Sequence, residues 1–158
     1  MEGVLCEIVE SPLGPIRLLG DERALWRLDF VAEGETAPEG TEPSPGFGGF
    51  AGRLRAYFGG ELTALDGIPA APAGTEFQQR VWRELRSVQP GETLSYRELA
   101  ARAGSPKASR AVGAAVGRNP VALVIPCHRI VGADGGLTGY AYGLDRKRSL
   151  LVHEGALS

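Results

Sequence analysis

"SYRELAARAGSPKASRAVGAAVGRNP", Ser95 to Pro120, decides how the second half of this chain folds. Ser95-Tyr96-Arg97-Glu98 is a capping box: the serine can accept from the backbone three residues on, and the glutamate there can return the bond. Leu94 and Leu99 stand where a hydrophobic staple would, and Gly104 supplies the left-handed residue that closes a short helix. Ser105-Pro106 then opens another, with serine as N-cap and proline at the first helical position. Two helices joined by a tight Gly-Ser turn predict a helix-turn-helix.

The second of these helices is nearly bare, since Ala108, Ser109, Ala111, Gly113, Ala114, Ala115 and Gly117 leave little protruding except Lys107, Arg110 and two valines. Glycine costs helix stability, so something is expected to approach this helix closely. Two readings stand. The helix packs tightly inside the protein, or it is slim enough to enter a nucleic-acid groove with Arg110 turned toward the bases. With so few polar side chains to read base edges, the second reading suits a minor-groove contact better than a major-groove one.

Past this helix, Arg118-Asn119-Pro120 is a stop signal, and the asparagine can bond neighbouring backbone. "VALVIP", Val121 to Pro126, predicts a buried extended run into Cys127. There "VIPCHRIV" sets one of two cysteines beside one of two histidines and follows them with an arginine. A buried structural thiol and a nucleophile both fit.

On the other side, Thr75-Glu76-Phe77-Gln78 is a second capping box. Phe77, Val81, Trp82, Leu85 and Val88 recur at helical spacing, predicting a helix from about Glu76 to Val88 with that stripe in the core. "GIPAAPAG", Gly67 to Gly74, marks a boundary between domains 1–74 and 75–158. In the first, Val4 to Val9, Pro15 to Leu19 and Ala24 to Val31 read as three short antiparallel strands. Glu33 to Gly49, dense in Gly, Pro and Glu, reads as a mobile surface loop, and "FAGRLRAYFGG" as a short helix.

The 158 residues carry a net charge of −2, which looks unpromising for a nucleic-acid binder. The average hides a split: Met1 to Gly74 holds five basic and twelve acidic residues, net −7, and Thr75 to Ser158 twelve basic and seven acidic, net +5. The second half is the one suited to a polyanion. Two distant cysteines, Cys6 and Cys127, support neither a disulfide scaffold nor a paired-cysteine zinc module, and fit a reducing cytosol. Acidic residues near the N-terminus and the lack of a long apolar run argue against a signal peptide or membrane span. A cytoplasmic protein is expected.

"SYRELA", "SPKASRAVGAAVGRNP", "VIPCHRIVG", "GLTGYA" and "DRKRSLLVHEG", in that order, closely resemble the O6-alkylguanine-DNA alkyltransferases, the methylated-DNA-protein-cysteine methyltransferases. The resemblance runs from about Thr75 to Gly155. It implies an α/β (α+β) fold: an N-terminal ribonuclease-H-like small β-sheet domain and a C-terminal winged helix-turn-helix-like catalytic domain. The implied activity is direct-reversal repair, one irreversible transfer of an alkyl group from O6-alkylguanine, or from O4-alkylthymine, to the protein.

By that resemblance Cys127 is the acceptor, His128 its base through a bridging water, and Glu154 the carboxylate that orients the histidine. Without the resemblance, Glu154 would read as a surface acid. Arg110 fills the space left by the flipped base, and Lys107, Ala108, Ser109 and Gly113 share the DNA face. Tyr96 presses on the target phosphate and protonates the departing guanine, and Asn119 is the hinge behind the recognition helix. Tyr140, Ala141, Tyr142, Val131 and Ala122 form the substrate pocket.

No cofactor or metal is implied; the first half offers only Cys6 and no histidine toward the zinc that some relatives carry there. The implied partner is double-stranded DNA carrying O6-alkylguanine, with no membrane, met by a monomer in the cytoplasm, or on the nucleoid in a prokaryote. Non-enzymatic lesion sensors share the fold but lack the acceptor cysteine, so Cys127 argues against that rival. Two positions depart from the family pattern. Tyr142 replaces a common glycine and puts a large ring at the pocket mouth, which is expected to narrow access for bulky alkyl groups. Ser149 replaces a common tryptophan.

Overall fold

Short apolar runs parted by polar turns at residues 11–14 and 21–24 make the first three strands of the computed structural model, which describes residues 3–158. Met1 and Glu2, at the head of the expected N-terminal domain, lie outside the described residues. β1 (Leu5–Val9) pairs antiparallel with β2 (Ile16–Gly20), Val9 opposite Ile16, and β2 pairs antiparallel with β3 (Leu25–Phe30), Ile16 opposite Phe30. Arg17 and Asp29 face each other in this register and form a bidentate ion pair, with 3.1 and 2.7 Å between the guanidinium nitrogens and the carboxylate oxygens.

The stretch from Glu33 to Gly49 is more ordered than its composition suggests. Within it β4 (Glu42–Pro43) lies parallel to β1, giving the order β3-β2-β1-β4. The Glu42 and Ser44 amides donate to the Val4 and Cys6 carbonyls at 2.9 Å each, and Pro43, which has no N–H to give, is tolerated on an edge strand. A 3-10 turn at Phe47–Gly49 buries Phe47 and leads into α1 (Phe50–Phe58), whose stripe Phe50, Ala51, Leu54 and Tyr57 is buried.

The chain divides into two compact units, Met1–Ala73 and Gly74–Ser158. The second begins with α2 (Glu76–Leu85), capped reciprocally by Thr75 and Gln78 as the capping box predicts. It ends three residues earlier than its apolar stripe suggests, because Ser87 and Val88 bond back by three residues instead of four. Val81, Trp82, Leu85 and Val88 are buried, while Phe77 is only half-buried and carries Arg80 over its ring, 5.5 Å from the centroid.

β5 (Leu94–Ser95) leads into α3 (Tyr96–Arg102), started by the Ser95–Glu98 capping box and ended at Gly104, φ +78°. The Ser105 and Gly104 amides return to the Ala100 and Ala101 carbonyls, a Schellman closure. The next helix, α4 (Ser109–Gly117), starts later than expected. Ser105 to Ala108 is instead a single turn closed by Ala108 N–H to Ser105 O at 2.9 Å, with proline at its second position, and Ala108 leaves helical angles. A Ser-Pro pair opens a turn as readily as a helix.

β6 (Ile130–Val131) runs parallel to β5 with Leu94 opposite Ile130, and α5 (Leu144–His153) closes the chain. α4 packs on α2 and α3, and Trp82 Nε1 donates to the Ala115 carbonyl at 2.9 Å, fixing the back of α4. No described helix is long and apolar enough to cross a membrane.

Candidate active site

α4 ends at Gly117 with Arg118 as its C-cap, and Asn119 then folds the next six residues around its own side chain. Asn119 Oδ1 accepts from Val121 N at 3.0 Å and Nδ2 donates to Ile125 O at 2.7 Å. Residues 121–126 are buried but not extended, contrary to the sequence reading. They coil through turns closed by Val124 to Ala122 and Ile125 to Val121, and Leu123 sits at φ +69°, the one non-glycine residue with positive φ among those described. An apolar run has no period that separates strand from buried turn.

Cys127–Arg129 continues as a 3-10 turn. His128 is 1% exposed, and its Nε2 lies 2.8 Å from Glu154 Oε2. Glu154, just past the end of α5, is buried as well and receives Arg129 Nε and a second guanidinium nitrogen at 2.8 Å each, while the third donates to Val88 O at 2.6 Å. Burial alone would push the Glu154 carboxyl up; the hydrogen bonds from Arg129 and His128 outweigh it and hold the group well below the usual carboxylate range. Burial pushes His128 down, against the pull of Glu154, so the ring is neutral.

These two states fix the tautomer. An ionised Glu154 only accepts, so Nε2 carries the proton, and the lone pair of the neutral ring falls on Nδ1. Nδ1 is buried with no hydrogen-bond partner among the described residues. It is a base in the right state to take a proton. Burial pushes the Cys127 thiol up, and a hydrogen bond from Asn119 and the charge of Lys147 pull it partly back.

Cys127 and Asn119 line a pocket with Tyr96 at the start of α3, Gly113 and Gly117 of α4, and the stretch Gly139 to Tyr142. Tyr140 and Tyr142 form an edge-to-face pair with centroids 5.4 Å apart. The structure therefore gathers Cys127, Asn119, Tyr96, Gly113, Tyr140, Ala141 and Tyr142 at one cavity, while His128 and Glu154 are bonded to each other outside its lining. Val131 and Ala122 are buried outside its lining. Lys107 and Arg110 are exposed at the start of α4, Ala108 and Ser109 are half-buried there, and Ala111, Ala114 and Gly117 continue the exposed face without bulk.

Two residues of this site were not anticipated. Arg129 looked like one more basic residue after "PCH", and Lys147 like one of three in "RKR". The available signal for Lys147 was its phase: with Leu150, Leu151 and Glu154 it falls at i, i+3, i+4 and i+7, on the buried face of α5. No group of three or more His, Cys, Asp or Glu side chains among the described residues is placed to hold a metal ion.

Two family models match the chain: the 6-O-methylguanine DNA methyltransferase ribonuclease-like domain over residues 4–72 and the DNA-binding domain of the same family over residues 76–156. A methylated-DNA–protein-cysteine methyltransferase of Methanosarcina acetivorans is 49% identical over 152 residues, covering 94% of this chain and 97% of the relative. One from Mycobacterium tuberculosis is 47% identical over 149 residues, covering 92% and 89%. Among solved structures, Mycobacterium tuberculosis OGT in complex with DNA superposes with a TM-score of 0.87 at 45% identity, covering 97% of this chain and 94% of that one.

Proposed function

The chain belongs to the 6-O-methylguanine DNA methyltransferase family, and from that premise we propose that it repairs alkylated DNA by direct reversal, moving the alkyl group of an O6-alkylguanine onto Cys127. The carrying observation is the neutral His128, next in the chain to Cys127, whose Nε2 is pinned to an ionised Glu154 and whose buried Nδ1 has no hydrogen-bond partner among the described residues. Through a bridging water, Nδ1 takes the Sγ proton. The thiolate attacks the alkyl carbon, the carbon–O6 bond breaks with its electron pair going to the base, and the Tyr96 hydroxyl returns a proton to the departing guanine. The product is a thioether.

Nothing in this chemistry needs a metal or organic cofactor, and a thioether carbon is a poor target for water. Each molecule therefore reacts once. In this reading α4 enters the minor groove of double-stranded DNA, with Arg110 filling the stack after the base is flipped and Lys107, Ala108, Ser109 and Gly113 close to the backbone. Asn119 ties that helix to the acceptor turn, and Tyr140 and Ala141 flank the flipped base. The Cys127 and Val131 backbone, with Ala122 behind it, meets the base edge. Tyr142 narrows the mouth in favour of small alkyl groups. The domain 75–158 carries DNA binding and acceptance; the protein works as a monomer where the chromosome is, in the cytoplasm.

Intact mass after incubation with excess duplex containing O6-methylguanine tests this. The wild type should gain one methyl group, limited to one equivalent, and Cys127→Ala none. An unchanged wild-type mass with tight, lesion-selective binding would make the protein a lesion sensor instead.

A further inference from the structure

Arg80 is on the exposed side of α2, away from the apolar stripe that enters the core, yet its side chain is held in one place. The Phe77 ring lies under its guanidinium, and Nη2 donates to Ser105 Oγ at 3.3 Å. Glu76 and Glu84 stand four residues to either side, the helical spacing for an ion pair, and no ion pair among the described residues joins either to it. Its other guanidinium N–H groups have no hydrogen-bond partner among the described residues. An arginine that bypasses two acids keeps its charge available for another anion.

The bond to Ser105 says where that anion lies. Ser105 is the first residue of the single turn before α4, so Arg80 is tied to the segment that carries Lys107 and leads into Arg110. Lys107 and Arg110 are exposed and likewise have no carboxylate partner among the described residues. Three cations from two helices thus stand around the start of α4, the helix assigned to the groove. Duplex DNA carries a phosphate charge about every 1.7 Å along its axis, so a helix lying in a groove is flanked by phosphates. A guanidinium already stacked and bonded gives up less side-chain freedom on meeting one than a mobile side chain does.

We propose that Arg80 is a further DNA-contacting residue: stacked on Phe77 and bonded to Ser105, it takes a backbone phosphate of the duplex beside the turn that opens α4. The proposal rests on the reading of α4 as the DNA-binding helix and extends the interface onto α2.

The salt dependence of binding tests this, because each phosphate neutralised contributes about −0.9 to the slope of log affinity against log salt concentration. The full chain and its variants are titrated against labelled undamaged duplex by fluorescence anisotropy between about 50 and 200 mM salt. Arg80→Gln and Arg80→Met should each make the slope shallower by about 0.9 and weaken binding roughly fivefold at low salt, a loss that shrinks to about twofold or less at high salt. Arg80→Lys keeps the charge and should hold the slope while losing part of the affinity, since an ammonium has no planar fork. Arg23→Gln removes the same charge from the first unit and should leave the slope at the wild-type value. A wild-type slope in the folded neutral variants overturns the proposal, because an arginine that only braced the turn would weaken binding at every salt concentration alike. An equal change in Arg23→Gln also overturns it, by making the effect one of net charge. Undamaged duplex involves no transfer, so a wild type that binds but never gains a methyl group would count against alkyl transfer while the slopes still judged Arg80.

Discussion

Glu154 is surrounded so that it cannot be protonated near neutrality, and this makes the whole site pH-sensitive in one direction. His128 and Glu154 both bind protons less readily folded than unfolded, so the unfolded chain takes up more protons on the acid side and stability falls as pH falls. The His128 part begins to be lost below its ordinary value of about 6.5, and the Glu154 part below about 4.3. The urea midpoint should therefore drop between pH 8 and pH 5, and His128→Gln should remove much of that drop; a wild-type midpoint constant over this range would contradict the assignment of a neutral buried ring. At this scale the sequence was half legible. The Cys127-His128 adjacency stood out because both residue types are scarce, whereas Arg129 and Lys147 hid among residues that usually lie on the surface.

Local chemistry announced most of the elements. Both capping boxes, the Gly104 stop and the short strands parted by turns depend on neighbours a few residues away and could be read directly. What depended on distant partners could not: β4 exists because β1 offers its carbonyls, the start of α4 is decided between two uses of Ser-Pro, and residues 121–126 coil because Asn119 clamps both ends. The bareness of α4 is now resolved on its outer side, where Ala111, Ala114 and Gly117 are exposed and so are not there for internal packing. Ala114→Leu should leave stability within about 0.5 kcal/mol, since the position is exposed and leucine is a good helix former. Duplex affinity should fall about tenfold or more, a cost of ~1.4 kcal/mol, as the added side chain holds the groove away. Fluorescence anisotropy with a labelled duplex measures this, and undiminished affinity would place the DNA face elsewhere.

Each of the two units holds one cysteine. Cys6 sits in β1, 2% exposed, its thiol pushed up mainly by burial. Its unit holds no histidine. Cys6→Ser should therefore accept one methyl group per chain at the parent rate, as read by intact mass and single-turnover kinetics; a loss of capacity would make the first unit part of the reaction. Chain length is constrained as unevenly as chemistry. Lys147 and Glu154 stand seven residues apart on one face of α5, one held at the pocket wall and the other at His128 and Arg129. A single inserted residue between them would swing one past the other by about 100° and shift it by about 1.5 Å. Descendants of this sequence can lengthen the loop after β3 with little penalty, but α5 can drift only by substitution, never by insertion or deletion.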